Sequence, residues 1–150
     1  MTPYILLKYT HFIGIFLVVG GVFAELWMVR PSLSRKELKI ISRVDGIYGL
    51  GAIVTVAAGL TLWLSDMGKS PEFYAANGLV YWKLGIFTIV GLLSIYPTVF
   101  FAKEKQGTKH PEGEEMLEVP ALIKWVIVLE FLLLLIMPLL ASLMAQGLSF

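Results

Sequence analysis

Four long apolar stretches, at 4–29, 44–64, 79–102 and 121–145, leave this chain little choice of architecture. Each has enough residues to cross a hydrocarbon core of about 30 Å at about 1.5 Å per helical residue. No water in that core can satisfy a backbone N–H or C=O, so each stretch is read as a transmembrane helix. Composition agrees. At 57% hydrophobic and 15% charged, with a mean hydropathy of +0.79, the chain lies outside the range of soluble domains.

The interruptions carry their own signals. Arg30-Pro31-Ser32 ends the first stretch, Ser65-Asp66-Met67-Gly68 the second and Lys103-Glu104-Lys105 the third. Pro120 opens the fourth, where its missing N–H costs nothing. Trp27 and Trp125 fall near one set of ends, Trp63 and Trp82 near the other, as an interfacial aromatic belt requires. The expected fold is all-α: a single integral membrane domain, 1–150, built as an up-and-down bundle of four helices.

Loop cations set the expected orientation. The first loop holds Arg30, Arg35, Lys36, Lys39 and Arg43 and the third holds Lys103, Lys105 and Lys109, whereas the second offers Lys69. The positive-inside rule then puts loops one and three in the cytoplasm and both termini outside, in a cytoplasmic (inner) membrane. Val22-Phe23-Ala24 resembles a signal-peptide cleavage site, but Met1 to Ile5 has no basic n-region and the apolar run is long for one. The bilayer is the expected partner. A net charge of +1 gives no basic surplus, and no nucleic acid is expected; a homo-oligomer is left open. The lack of cysteine excludes disulfides, thiol chemistry and iron–sulfur ligation.

Function is sought in the ionisable residues inside or at the ends of these stretches: Lys8, His11, Glu25, Asp45, Lys83 and Glu130. An unpaired charge at a helix centre costs roughly 2.5 to 3.5 kcal/mol on insertion scales, so such residues pair, face a cavity or do chemistry. His11 and Glu25 share an inward face of the first helix but lie about 21 Å apart along its axis, so they belong to different sites. Asp45, Gly49, Ala52, Val56, Gly59 and Trp63 share a face of the second helix, whose small residues permit close approach. With Arg30 and Arg43 at the same depth, Glu25 and Asp45 are expected to form a structural ionic cluster of two acids and two guanidiniums at the cytoplasmic side.

Lys83 opens the third helix from the outer side, on a face that continues through Val90, Ser94 and Pro97. Glu130 lies near the middle of the fourth helix with no adjacent cation, so it is neutral or meets a partner across the bundle. Lys83 would be that partner only if its side chain dips inward. His110, within 106–118, reads as a solvated loop residue. Walker loops, His-Glu-x-x-His, nucleophile elbows and paired-cysteine motifs are absent.

Lys8-Tyr9-Thr10-His11, Glu25 through Arg30-Pro31, Arg43 with Asp45 and Tyr48-Gly49, and Trp82-Lys83 together resemble a bacterial family of short four-helix membrane proteins named only as a domain of unknown function. More distantly, a first-helix histidine, an arginine at that helix's end and a lysine opening the third helix resemble HemJ, the membrane protoporphyrinogen IX oxidase family associated with haem b. That resemblance implies His11 as an iron ligand and Lys83 as a haem-binding or activity residue. The chain has no further intramembrane histidine for bis-histidine ligation within one subunit.

Three function classes follow. A haem-associated redox protein, a protoporphyrinogen oxidase-like enzyme in its narrowest form, would use His11 as ligand, Lys83 as second ligand or propionate partner, and Lys83 and Glu130 in catalysis. A proton- or ion-coupled permease would use Glu130 as the titrating group between the outer His11 and Lys83 zone and the inner acids. A non-catalytic assembly subunit would need the charges for packing alone. In that case His11 would bond to a carbonyl or to Tyr48, and Lys83 would snorkel to the headgroups.

Overall fold

The computed structural model describes residues 2–67, 69–106 and 116–148. His110 and Lys109 lie outside the described residues. Among the described residues four helices have the length and apolarity to cross a membrane: α1 (Pro3–Met28), α2 (Arg35–Leu64), α4 (Gly78–Gln106) and α5 (Ala121–Ala145). A five-residue helix, α3 (Pro71–Ala75), lies between α2 and α4. Two short strands, β1 (Ser32–Ser34) and β2 (Met116–Glu118), pair antiparallel with Leu33 opposite Leu117.

The ribbon explains the alternation. It ties the α1–α2 connection to the α4–α5 connection, so both lie at one end of the bundle, here the ribbon end. Val119 N–H donates to Pro31 O at 2.8 Å and extends the tie. Sequence patterning alone showed loops here, because three-residue strands are too short to display a period. Leu33 is the anchor, wholly buried with Leu38, Ile41, Phe101 and Ile123.

Helix α2 starts at Arg35, well before the apolar run that begins at Val44. The cause is local. Ser34 Oγ accepts from the Glu37 N–H while the Glu37 carboxylate accepts from the Ser34 N–H, a reciprocal capping box that nucleates a polar first turn. At the far end of the bundle Ser70 caps α3 by accepting from Phe73 N–H. Glu72 there is held below the usual carboxylate range by its own backbone N–H and by the Ser70 hydroxyl.

Helix–helix attraction in a bilayer comes from close packing, since lipid tails are as apolar as leucine. The α1–α2 contact, the most extensive in the bundle, shows how. A Cβ on Gly14 would sit 2.5 Å from Thr55 Oγ1, one on Gly21 2.7 Å from Tyr48 Cβ, and one on Gly51 2.6 Å from Leu17 Cβ. The two helices therefore touch backbone to backbone. The α2 glycine at this crossing is Gly51, whereas Gly49 has nothing within 4 Å. The face expected from the sequence is rotated, because the polar Tyr48 and Thr55 turn inward with Gly51.

Phe16, Trp27, Ile53, Trp82, Leu92 and Trp125 are among many large apolar side chains left on the outside. A soluble protein would aggregate through such a surface; a bilayer solvates it.

Candidate functional site

The antiparallel α1–α2 register places polar side chains at two levels. Near the far end, His11 of α1 meets α2 at Gly59 and Thr55. Its Nδ1 lies 2.9 Å from the Thr55 carbonyl oxygen, which only accepts, so Nδ1 carries the proton and donates. Nε2 then holds the free lone pair. A Cβ on Gly59 would stand 3.0 Å from His11 Cε1 and 4.0 Å from Nε2, so glycine makes room for the ring and Nε2 is the nitrogen turned farther from α2. Lys83 of α4 is within electrostatic reach of this imidazole. One turn inward from Lys83, Phe87 lines an open apolar groove of about 400 Å³ with Ala52, Ile53, Val56 and Ala57 of α2.

The second level lies toward the ribbon end. Glu25 and Glu130 are each 1% exposed, and Asp45 is 7% exposed. Tyr48 Oη donates to Glu130 Oε2 at 3.3 Å, joining α2 to α5. Thr98 Oγ1 of α4 donates to Asp45 Oδ1 at 2.7 Å. Ser94 stands within hydrogen-bond reach of the Tyr48 hydroxyl. A pocket of about 180 Å³ between α2 and α4 is lined by Asp45, Tyr48, Ser94 and Thr98 on its polar side.

The expected sites are thus regrouped. His11 and Lys83 lie within electrostatic reach of each other, at the shared depth expected. Glu130 does not join them; the groups around it are Tyr48 and Asp45, at the other level. The ionic cluster of Glu25, Arg30, Arg43 and Asp45 is split. Arg30 lies beyond the end of α1, where the exposed first turn of α2 displays Glu37, and it pairs with that residue instead. Desolvating two guanidiniums to reach the buried acids would cost more than this exposed contact. Arg43 sits two residues from Asp45, about 200° round the helix, and is exposed. Lys8 is exposed as well, its Nζ 5.9 Å from the centre of the Tyr4 ring.

Sequence reasoning missed Thr55 and gave Thr98 and Lys124 no partner. The ammonium of Lys124 in α5 donates to the Leu26 and Val29 carbonyls, both at 2.9 Å, and so caps the end of α1. The only sequence signal was a cation in the first turn of the fourth helix. Thr55 acts through its carbonyl, which carries no side-chain signature at all.

Comparison with known proteins gives one family. The profile described as "Predicted membrane protein (DUF2214)" matches residues 4–149. No curated protein and no solved structure matches.

Proposed function

We propose that this chain, which belongs to the DUF2214 family of predicted membrane proteins, is a haem-associated membrane redox protein with His11 and Lys83 at its site. The observation behind the reading is the His11 tautomer: Nδ1 donates to the Thr55 carbonyl at 2.9 Å, a bond that a packing role also makes, and this leaves the Nε2 lone pair for a ligand. Histidines that ligate metals donate their other ring N–H to a carbonyl or carboxylate, which sets the tautomer and orients the free nitrogen. Thr55 does this for His11.

The donor set fits haem b. One neutral imidazole nitrogen is available, Lys83 would supply a cation for a propionate or an amine for iron, and an apolar groove between α2 and α4 begins one turn from Lys83, at Phe87. Bound there, haem would supply one-electron redox chemistry. The protein's part would be to hold His11 through Thr55 and Gly59, to offer Lys83 within electrostatic reach of that ring, and to exclude water with Val56, Ala57 and Phe87. Oxidation of a porphyrinogen is the narrower activity that the HemJ resemblance supports.

Expression with adequate haem followed by visible spectroscopy tests the reading. A Soret band is expected, lost or shifted in His11→Ala and altered in Lys83→Ala. A colourless protein that also fails to take up added haemin would overturn it.

A further inference from the structure

Three carboxylates in the ribbon-end half of the bundle take no part in the His11 and Lys83 site. Glu25 comes from α1, Asp45 from α2 and Glu130 from α5, and the charged groups that act on Glu25 are the other two acids. Tyr48 adds its hydroxyl from α2, while α4 contributes Ser94 and Thr98. Arg30 pairs with Glu37, Lys124 caps α1, and Arg43 is exposed.

An independent observation points to a ligand. Oε1 of Glu25 and Oε1 of Glu130 are both buried without a hydrogen-bond partner. Carboxylates this close in a low-dielectric interior cannot all stay ionised, and an orphan anionic oxygen is the costliest polar atom to leave in hydrocarbon. The two oxygens require something positive. A proton meets that need within the space between the helices, by turning one carboxylate into a neutral acid.

We infer that Glu25, Asp45, Tyr48 and Glu130 form a proton-binding site in the bundle, loaded from the ribbon end through the pocket at Asp45 and Thr98. Asp45, the most exposed of the three acids, is the port. A proton taken by Asp45 forms one O–H bond there. Onward transfer is concerted: the Asp45 O–H breaks as its proton passes across the pocket to the Tyr48 oxygen, while the Tyr48 O–H breaks and its proton forms an O–H bond on Glu130 Oε2, so Asp45 returns to carboxylate, the phenol is unchanged and one proton has moved inward. This site does not rest on the haem reading, and neither His11 nor a Soret band enters its test.

Infrared spectroscopy of the full chain in lipid nanodiscs reads it directly. The carbonyl stretch of a protonated carboxylic acid is expected at neutral pH, shifted in D2O. The band should be lost or diminished in Glu25→Gln or Glu130→Gln, and moved to higher frequency in Tyr48→Phe, which removes the hydrogen bond to Glu130 Oε2. Tyr48→Phe keeps the packing of the ring and serves if a glutamine variant fails to fold. Absence of a deuterium-sensitive band in the parent, or an identical band in all three variants, would overturn the inference. So would loss of the band when sodium chloride replaces choline chloride, since a metal cation would then be the ligand.

Discussion

Gly51→Ala isolates the physics that holds α1 to α2. The added methyl meets Leu17 Cβ at 2.6 Å, Val18 N at 3.0 Å and Gly14 O at 3.1 Å. Carbon atoms settle at about 3.5–4.0 Å, so the helices must part by about 1 Å around this point. Two of the three obstacles are backbone atoms, and no rotamer change moves them. A gap of that size forfeits about a quarter to a half of each dispersion contact along the crossing, and overpacking of this kind costs about 1–3 kcal/mol. The control is on the same helix. A Cβ at Gly49 meets nothing within 4 Å, so Gly49→Ala should recover about 0.5–1 kcal/mol of helix propensity without a clash. Unfolding of the two variants in mixed detergent and SDS micelles, followed by helical circular dichroism, should shift their midpoints in opposite directions from the parent. Equal midpoints for the two would refute the backbone-to-backbone crossing.

Three other perturbations probe separate features. Lys124→Met strands the Leu26 and Val29 carbonyls at the end of α1 and should lower stability by about 1 kcal/mol. Lys124→Arg should restore most of that loss in the same unfolding assay, and no difference between the two would remove the cap. Ser34→Ala breaks the capping box and should cost about 1 kcal/mol, seen as a lower melting temperature; an unchanged melt would show that the first turn of α2 needs no cap. Reporter fusions after Gln106 and after Ala145 should give opposite sidedness, with Gln106 cytoplasmic by the cation bias of loops one and three. A cytoplasmic reporter after Ala145 would reverse the assignment.

Apolar length and loop punctuation were legible without any structure. The number of spans and their alternation follow from the thickness of hydrocarbon and the cost of unsatisfied backbone, both local to each stretch. Depth was legible too, because a helix advances by a constant rise. That is why His11 and Lys83, read at one level from sequence, lie within electrostatic reach of each other, and why Glu25 and His11 were separable. The start of α2 was also written locally, in Ser34 and Glu37, but it lies in a polar segment that a hydropathy reading passes over.

Azimuth was decided by the tertiary structure. Which side of α2 faces α1 depends on Gly14, Gly21 and Gly51 fitting against Thr55, Tyr48 and Leu17, contacts between residues about thirty to forty positions apart. That fit turns Tyr48 inward to reach Glu130, 82 residues away, and gathers three acids that share no sequence motif. It also leaves Arg30 to the nearer, wetter Glu37. Hydropathy tells a segment that it belongs in lipid. It does not tell the segment which of its faces a neighbouring helix will cover, because in a bilayer that choice is made by the shapes of side chains from elsewhere in the chain.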